Sequence, residues 1–286
     1  MNRNLFQLAG LGLAAMVTAW SAVALAADVP KSPEVEQSGK LAVANTLDYA
    51  PFEYLDADGK QVGIIIELAG EVAKLVGAEL DVQRTPFPSM IPGLAAGRFK
   101  IAWETFSANP ERLQQVDFVM FIKAGIAAST SPEKKDSFAG NMPLCGKRVG
   151  VSAGSASDFL VDKLGKECTD KGQKAIEKSV FNSSTDIVQA VLSDRVDARM
   201  DDATASSYFE VTSKGQLVVL PTLYDIAPLG MAIAKDDKGT ADMMVAALAE
   251  LFKNGAYQAI LDKYGMGAYA IKEPYFVGSM DALRAE

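Results

Sequence analysis

Four short runs in this 286-residue chain carry side chains able to do chemistry, and none contains histidine, because the sequence has none. Without imidazole there is no Ser-His-Asp or Cys-His nucleophile system, and a zinc site would have to rely on carboxylates and two thiols. In Asn109-Pro110-Glu111-Arg112 a good N-cap and a good first helical residue place Arg112 in the first turn of a helix. A guanidinium is permanently charged and its paired donors match a carboxylate. The plain alternative is a surface arginine paired with Glu111 or Asp117. Gly154-Ser155-Ala156-Ser157 follows an apolar strand and precedes a helix, so its N–H groups can receive an anion. It lacks the lysine and second-glycine spacing of a nucleotide-binding loop. Asp201-Asp202 stands ahead of a helix, where a carboxylate also serves as an N-cap. Glu104 follows a buried-strand pattern, where an acid is costly unless paired, and where a raised pKa would suit a general acid.

The elements that must position these groups alternate along the chain. Lys40 to Ala44 reads as a strand, Glu67 to Val76 as a helix stopped by Gly77, and Glu79 to Gln83 as a strand. Met90 to Ala96 reads as a helix stopped by Gly97, and Phe99 to Trp103 as a buried strand. A second unit repeats the rhythm: strand Arg148 to Ser152, helices Asp158 to Leu164 and Ser184 to Leu192, strand Val196 to Met200 and helix Ala203 to Val211. Such alternation marks parallel sheets covered by helices, an α/β class. Two extended apolar segments, Phe121 to Ser131 and Leu223 to Lys235, lie between the units, and helices Ala241 to Asn254 and Tyr257 to Tyr264 close the chain. Read as paired crossings, the segments join two open α/β lobes, with a cleft at the carboxyl ends of both sheets. The expected division is a signal peptide at 1–26, a first lobe at 27–127, a second lobe at 128–226, and a return to the first lobe with C-terminal helices at 227–286.

Composition narrows the function classes. With 28 Lys+Arg against 36 Asp+Glu the formal charge is -8, which leaves no surplus of cations for a nucleic-acid backbone. Arg3, the apolar stretch Leu5 to Leu25 and Ala24-Leu25-Ala26 read as a cleaved export signal, with a membrane anchor as the alternative. Export to an oxidising compartment makes Cys145 and Cys168 a disulfide pair rather than metal ligands, two free thiols being the alternative.

Several ordered motifs together resemble a known family. The run Asp48-Tyr49-Ala50-Pro51-Phe52-Glu53-Tyr54, the spaced Gly63 and Glu67, Met90-Ile91-Pro92-Gly93-Leu94, Asn109-Pro110-Glu111-Arg112 with Val116-Asp117-Phe118, and Gly146-Lys147-Arg148-Val149-Gly150-Val151 are similar to the polar amino-acid-binding proteins of ABC transporters, the family 3 periplasmic solute-binding proteins. The resemblance covers nearly all of the chain after the signal. It implies the type II periplasmic-binding-protein fold, in which two lobes joined by two hinge strands close on one small ligand and present it to a membrane permease. It implies a monomer in the periplasm, without cofactor, metal or catalytic residues.

Carried over by position, the resemblance assigns Arg112 to the ligand α-carboxylate and Asp202 to its α-ammonium, with Asp201 as the fallback. Thr105 and Ser107 become hydrogen-bonding positions, Tyr49 and Phe87 aromatic walls, and Ser155 and Ala156 the far side of the carboxylate site. Phe87 between Pro86 and Pro88 suits a projecting loop residue. Departures from the family pattern leave the ligand open between an amino acid and a related small acid. Thr46 stands where relatives that prefer cations often carry an acid, which weakens a lysine or arginine assignment; against that, Glu104 stands where a small residue is usual. Glu104 can meet a cationic group of the ligand or neutralise Arg199, and strand alternation lets only one of Trp103 and Glu104 face the cleft. The rival reading is an enzyme on the same scaffold, similar to cyclohexadienyl dehydratase, with Glu104 as general acid. A receptor's sensory domain is a third reading, disfavoured because no membrane span or signalling domain follows to Glu286.

Overall fold

In a computed structural model that describes residues 29–284, strands and helices alternate as the hydrophobic pattern requires. The signal-peptide reading of 1–26 lies outside the described residues, among which no helix is long and apolar enough to cross a membrane. In the first lobe, strands Lys40–Asn45, Glu79–Arg84 and Ile101–Ser107 run parallel, with Lys40–Asn45 between the other two. Helix Ile64–Leu75 connects the first two, burying Ile64, Ile65, Leu68 and Val72 on its sheet-facing side. In the second lobe, Arg148–Ser152 lies between Glu177–Phe181 and Ala198–Asp202, again all parallel.

Two long strands tie the lobes together. Val116–Thr130 spans 15 residues and Val218–Ala234 spans 17, paired antiparallel to each other. At one end Val218–Ala234 pairs with Ile101–Ser107, and at the other Val116–Thr130 pairs with Ala198–Asp202. One continuous sheet therefore passes through both halves, and its pairing is interrupted by register shifts between Val219 and Leu223, Tyr224 and Ala227, and Leu229 and Gly230. Such bulges let paired strands bend without losing the whole ladder. The two crossing segments read from the sequence fall within these strands except for their last residues, Ser131 and Lys235.

Each lobe has its own core. Trp103, Phe121, Leu68 and Met243 belong to one apolar cluster of the first lobe and Phe106, Phe118 and Met90 to another, while Val149, Val151, Leu160 and Met200 pack in the second lobe. Gly63 shows how tightly the first lobe is built: at a φ of 125°, a Cβ there would sit 2.3 Å from the Phe52 carbonyl oxygen. The strands Glu177–Phe181 and Ala270–Val277 were not expected from the sequence. The first has no buried residue, with Glu177 and Val180 exposed, and the second carries Pro274, which falls in the register shift between Ala270 and Tyr275.

Cys145 and Cys168 form a disulfide with their Cα atoms 5.6 Å apart, anchoring helix Ala156–Asp170 to the chain ahead of strand Arg148–Ser152. Closing a loop of this size restricts the unfolded chain by about 3 kcal/mol. Replacing both cysteines by serine is expected to lower the unfolding free energy in urea by about that amount; a loss below about 1 kcal/mol would contradict it.

Candidate functional site

All six parallel strands point their carboxyl ends at one cavity between the lobes, which has about 550 Å³ of empty space including its mouth. The chain leaving Lys40–Asn45 supplies Thr46, Asp48 and Tyr49, the chain after Glu79–Arg84 supplies Phe87, and Ile101–Ser107 supplies Glu104 and Thr105. From the other lobe come Ser152 with Ser155, Ala156 and Ser157, then Asn182 and Ser184, then Asp201 and Asp202. Crevices outside the strand carboxyl ends are where open α/β sheets hold ligands, because the connecting loops there diverge.

Arg112 is the cation of this cavity. Asn109 caps helix Pro110–Leu113 by accepting from the Arg112 N–H at 2.8 Å, which turns the guanidinium back toward the strand end. Nη1 donates to the Ser107 carbonyl at 2.8 Å and to its hydroxyl at 3.1 Å, while Nη2 reaches across to the Gly154 carbonyl at 2.5 Å. The guanidinium also lies 5.5 Å from the Phe106 ring centre. Arg112 is only 6% exposed, and among the described residues it has no carboxylate within ion-pair distance. Burial pulls its pKa down to about 10, against the opposing pull of Asp202 and Glu111. Asp117, the partner considered in the sequence, pairs instead with Lys235 at 2.7 Å. Ser107 is absent from the main cavity wall and holds Arg112 from behind.

Opposite Arg112, hydroxyls of one lobe meet carboxylates of the other. Tyr49 donates to Asp201 at 2.8 Å and to Asp202 at 3.0 Å, and Thr105 donates to Asp202 at 2.9 Å. Asp202 occupies the N-cap position of helix Ala203–Thr212 but makes no side-chain cap bond, so its carboxylate is turned to the cleft. Burial, reinforced by neighbouring Asp201, pushes its pKa up to about 7. Burial and the same two carboxylates hold Tyr49 well above the usual phenol range, keeping it a donor. Asp201 is neutralised from beneath by Arg199, which is 0% exposed, pairs with the Asp201 carboxylate and stacks 4.8 Å over the Phe209 ring.

Glu104 does not neutralise Arg199. It lines the cavity and accepts from the Thr46 N–H at 2.8 Å, while Trp103 turns into the core, edge-on to Phe121. Burial raises the Glu104 pKa, opposed by hydrogen bonds from Glu53 and Thr46. Phe87 begins a single 3₁₀ turn and stacks on Phe106 at 4.8 Å between ring centres. Ser155 accepts from the Asp158 N–H at 3.2 Å, capping helix Ala156–Asp170 whose first turn opens on the cavity. Asn182, Ser184 and Ser152 escaped the sequence reading; Asn182 follows the unexpected strand Glu177–Phe181, and its signal was the Asn182-Ser183-Ser184 cluster before a helix.

Residues 41–267 match the bacterial extracellular solute-binding proteins, family 3. The arginine-binding extracellular protein ArtP of Bacillus subtilis is 34% identical over 234 residues, covering 80% of this chain and 87% of its own. The histidine-binding periplasmic protein of Salmonella typhimurium is 26% identical over 262 residues, covering 89% of this chain and 95% of its own. Among solved structures, the ancestral amino acid-binding protein AncCDT-1, a precursor of cyclohexadienyl dehydratase, superposes with a TM-score of 0.73 at 26% identity, covering 81% of this chain and 97% of that one. With a family match over most of the chain and a two-lobed fold built on paired crossing strands, this protein belongs to the family 3 bacterial extracellular solute-binding proteins.

Proposed function

We propose that this protein is the exported amino-acid-binding component of an ABC-type importer, closing its lobes on a zwitterion and delivering it to a membrane permease as a monomer. The observation that carries the reading is Arg112: a buried guanidinium without a carboxylate partner among the described residues, on the wall of a cavity that also meets the first turn of a 15-residue helix. A buried cation is costly until an anion joins it, and an α-carboxylate fits between the guanidinium fork and the N–H groups near Ser155 and Ala156. Asp202 offers the matching carboxylate for an α-ammonium, and Tyr49 and Phe87 offer ring surface. The names of ArtP and the histidine-binding protein designate amino-acid binders, which supports the same class. The proposed lobes are 27–127 with 227–286, and 128–226, following a leader at 1–26 that is removed on export to the periplasm.

Binding follows from the division of the site. Arg112, Thr105 and Tyr49 belong to one lobe and Asp202, Ser155 and Ala156 to the other, so contacts to both are complete only when the lobes meet. Closure is stabilised by that difference in affinity between the two arrangements. An enzymatic role for Glu104 is the second reading, since it is a buried acid with a raised pKa on the cavity wall. Against it, Glu104 receives hydrogen bonds from the Thr46 N–H and from Glu53, which favour its anion and not a proton donor.

Arg112→Ala and Asp202→Ala are each expected to weaken binding of the cognate amino acid at least tenfold in calorimetry while thermal unfolding stays cooperative. Wild-type affinity in either variant removes that residue from the site. A second expectation concerns pH. An ammonium favours ionised Asp202, whose pKa is raised to about 7, so binding below that pH must expel a proton. Affinity should therefore fall as pH drops through about 7, with proton release seen as a dependence of binding heat on buffer ionisation. A flat affinity between about pH 5 and 8 contradicts the ammonium–Asp202 contact.

A further inference from the structure

Beside the groups assigned to the zwitterion lies a carboxyl pair that those contacts do not use. Glu53 is 0% exposed and Glu104 is 2% exposed, with Glu104 on the cavity wall and Glu53 behind it. Glu104 Oε1 accepts from the Thr46 N–H at 2.8 Å, and the Thr46 hydroxyl stands 3.5 Å from Glu53 Oε1. The other oxygen, Glu53 Oε2, is buried, and among the described residues no N–H or hydroxyl donor reaches it. Among the described residues neither carboxyl forms an ion pair, and Arg199 is committed to Asp201.

Two adjacent anions in a dry corner repel strongly, and one proton between them removes the conflict. The proton belongs on Glu53. That side chain is the deeper one, lacks any donor at Oε2, and becomes a donor itself once protonated, hydrogen-bonding to Glu104. Burial together with the Glu104 charge holds Glu53 well above the ordinary carboxyl range. Glu104, receiving the Thr46 N–H and the Glu53 proton, is left as the anion.

The charge on the cavity wall is then unbalanced. Asp48, Glu104, Asp201 and Asp202 face one guanidinium, Arg112. Arg199 answers Asp201, and a zwitterion's own charges answer Arg112 and Asp202. Asp48 is half-buried and shares solvent; Glu104 is sealed. Along the strand, Glu104 stands three residues before Ser107, whose carbonyl anchors Arg112, a separation of about 10 Å in extended chain. A ligand held at Arg112 by its carboxylate needs a long side chain to span such a separation.

We propose that Glu53 and Glu104 hold one proton between them, with Glu104 the anion, and that this pair selects an amino acid carrying a positively charged side-chain nitrogen. The inference rests on the amino-acid-binding reading above. A neutral side chain of the same shape leaves Glu104 uncompensated, which is how a buried charge discriminates.

The test compares L-arginine and L-lysine with L-citrulline, the uncharged isostere of arginine, by calorimetry on the wild type, Glu104→Gln, Glu53→Gln and Glu53→Ala. The wild type should bind at least one cation ten or more times tighter than citrulline. Glu104→Gln should compress that ratio below threefold. Glu53→Gln, whose amide still donates to Glu104, should keep the ratio, and Glu53→Ala should reduce it; a merely structural role for Glu53 would treat the two alike. Should the Glu104 variant fail to fold, the wild-type ratio of the tighter cation to citrulline decides alone. It must shrink as pH falls and Glu104 takes up a second proton, because Asp202, Asp201, Tyr49 and Arg112 face the common α-groups of all three probes and Asp48 alone shares the side-chain end. A ratio that does not change with pH, or that survives in Glu104→Gln, overturns the proposal, as does a wild type that prefers citrulline. If none of the three probes binds but another amino acid does, the selection falls and the amino-acid reading stands. If a full amino-acid screen is silent, both fall.

Discussion

A buried guanidinium that finds no carboxylate to pair with among the described residues is the constraint around which this molecule is arranged. Arg112 is kept in place by the Ser107 carbonyl and hydroxyl from its own lobe and by the Gly154 carbonyl from the other. Two carbonyls and a hydroxyl take up some of its five donors but leave its charge in place, and the pull of its pKa to about 10 by burial is the electrostatic trace of that. The charge is bearable because it lies where the sheets' carboxyl ends converge and an anion can enter from outside the fold. Placing it in either core would require a permanent internal partner.

On the far wall the problem is inverted. Asp201 and Asp202 are adjacent buried acids, and the fold deals with them separately: Arg199 neutralises Asp201 from beneath, while Asp202 receives only the hydroxyls of Tyr49 and Thr105. Those hydroxyls come from the opposite lobe, so the same bonds that quiet Asp202 also bridge the cleft. In the proposed binding role an incoming ammonium would answer the same carboxylate with a full charge, making lobe closure and ligand capture parts of one equilibrium.

The two crossing strands explain how such a site can open without damage to either core. Each lobe buries its own apolar clusters, and the chain passes between them through Val116–Thr130 and Val218–Ala234. Their pairing shifts register several times between Val219 and Gly230, and the pairing of Val218–Ala234 with Ile101–Ser107 shifts again between Gly230 and Ala232, concentrating adjustable backbone along the stretch that joins the lobes.

Most of the architecture was legible in the chain alone. Apolar spacing marked the helices and strands, glycines at 77 and 97 marked stops where φ is positive, and Asn109-Pro110 marked the helix start that turns Arg112. These are local preferences, set within a few residues. The strand Ala270–Val277 was not legible, because a proline in a strand becomes acceptable only at an irregular edge that the neighbouring strand supplies. Nor could the sequence choose between Trp103 and Glu104: alternation says that one faces the cleft, and only the packing of Trp103 against Phe121 says which. Residue types determined that a cation, several acids and a helix start were present. The tertiary structure decided their pairing, since whether Arg199 meets Glu104 or Asp201, and whether Glu53 touches Glu104, depends on distances between segments far apart in the chain, and electrostatic energies in a buried site depend on those distances and on the exclusion of water.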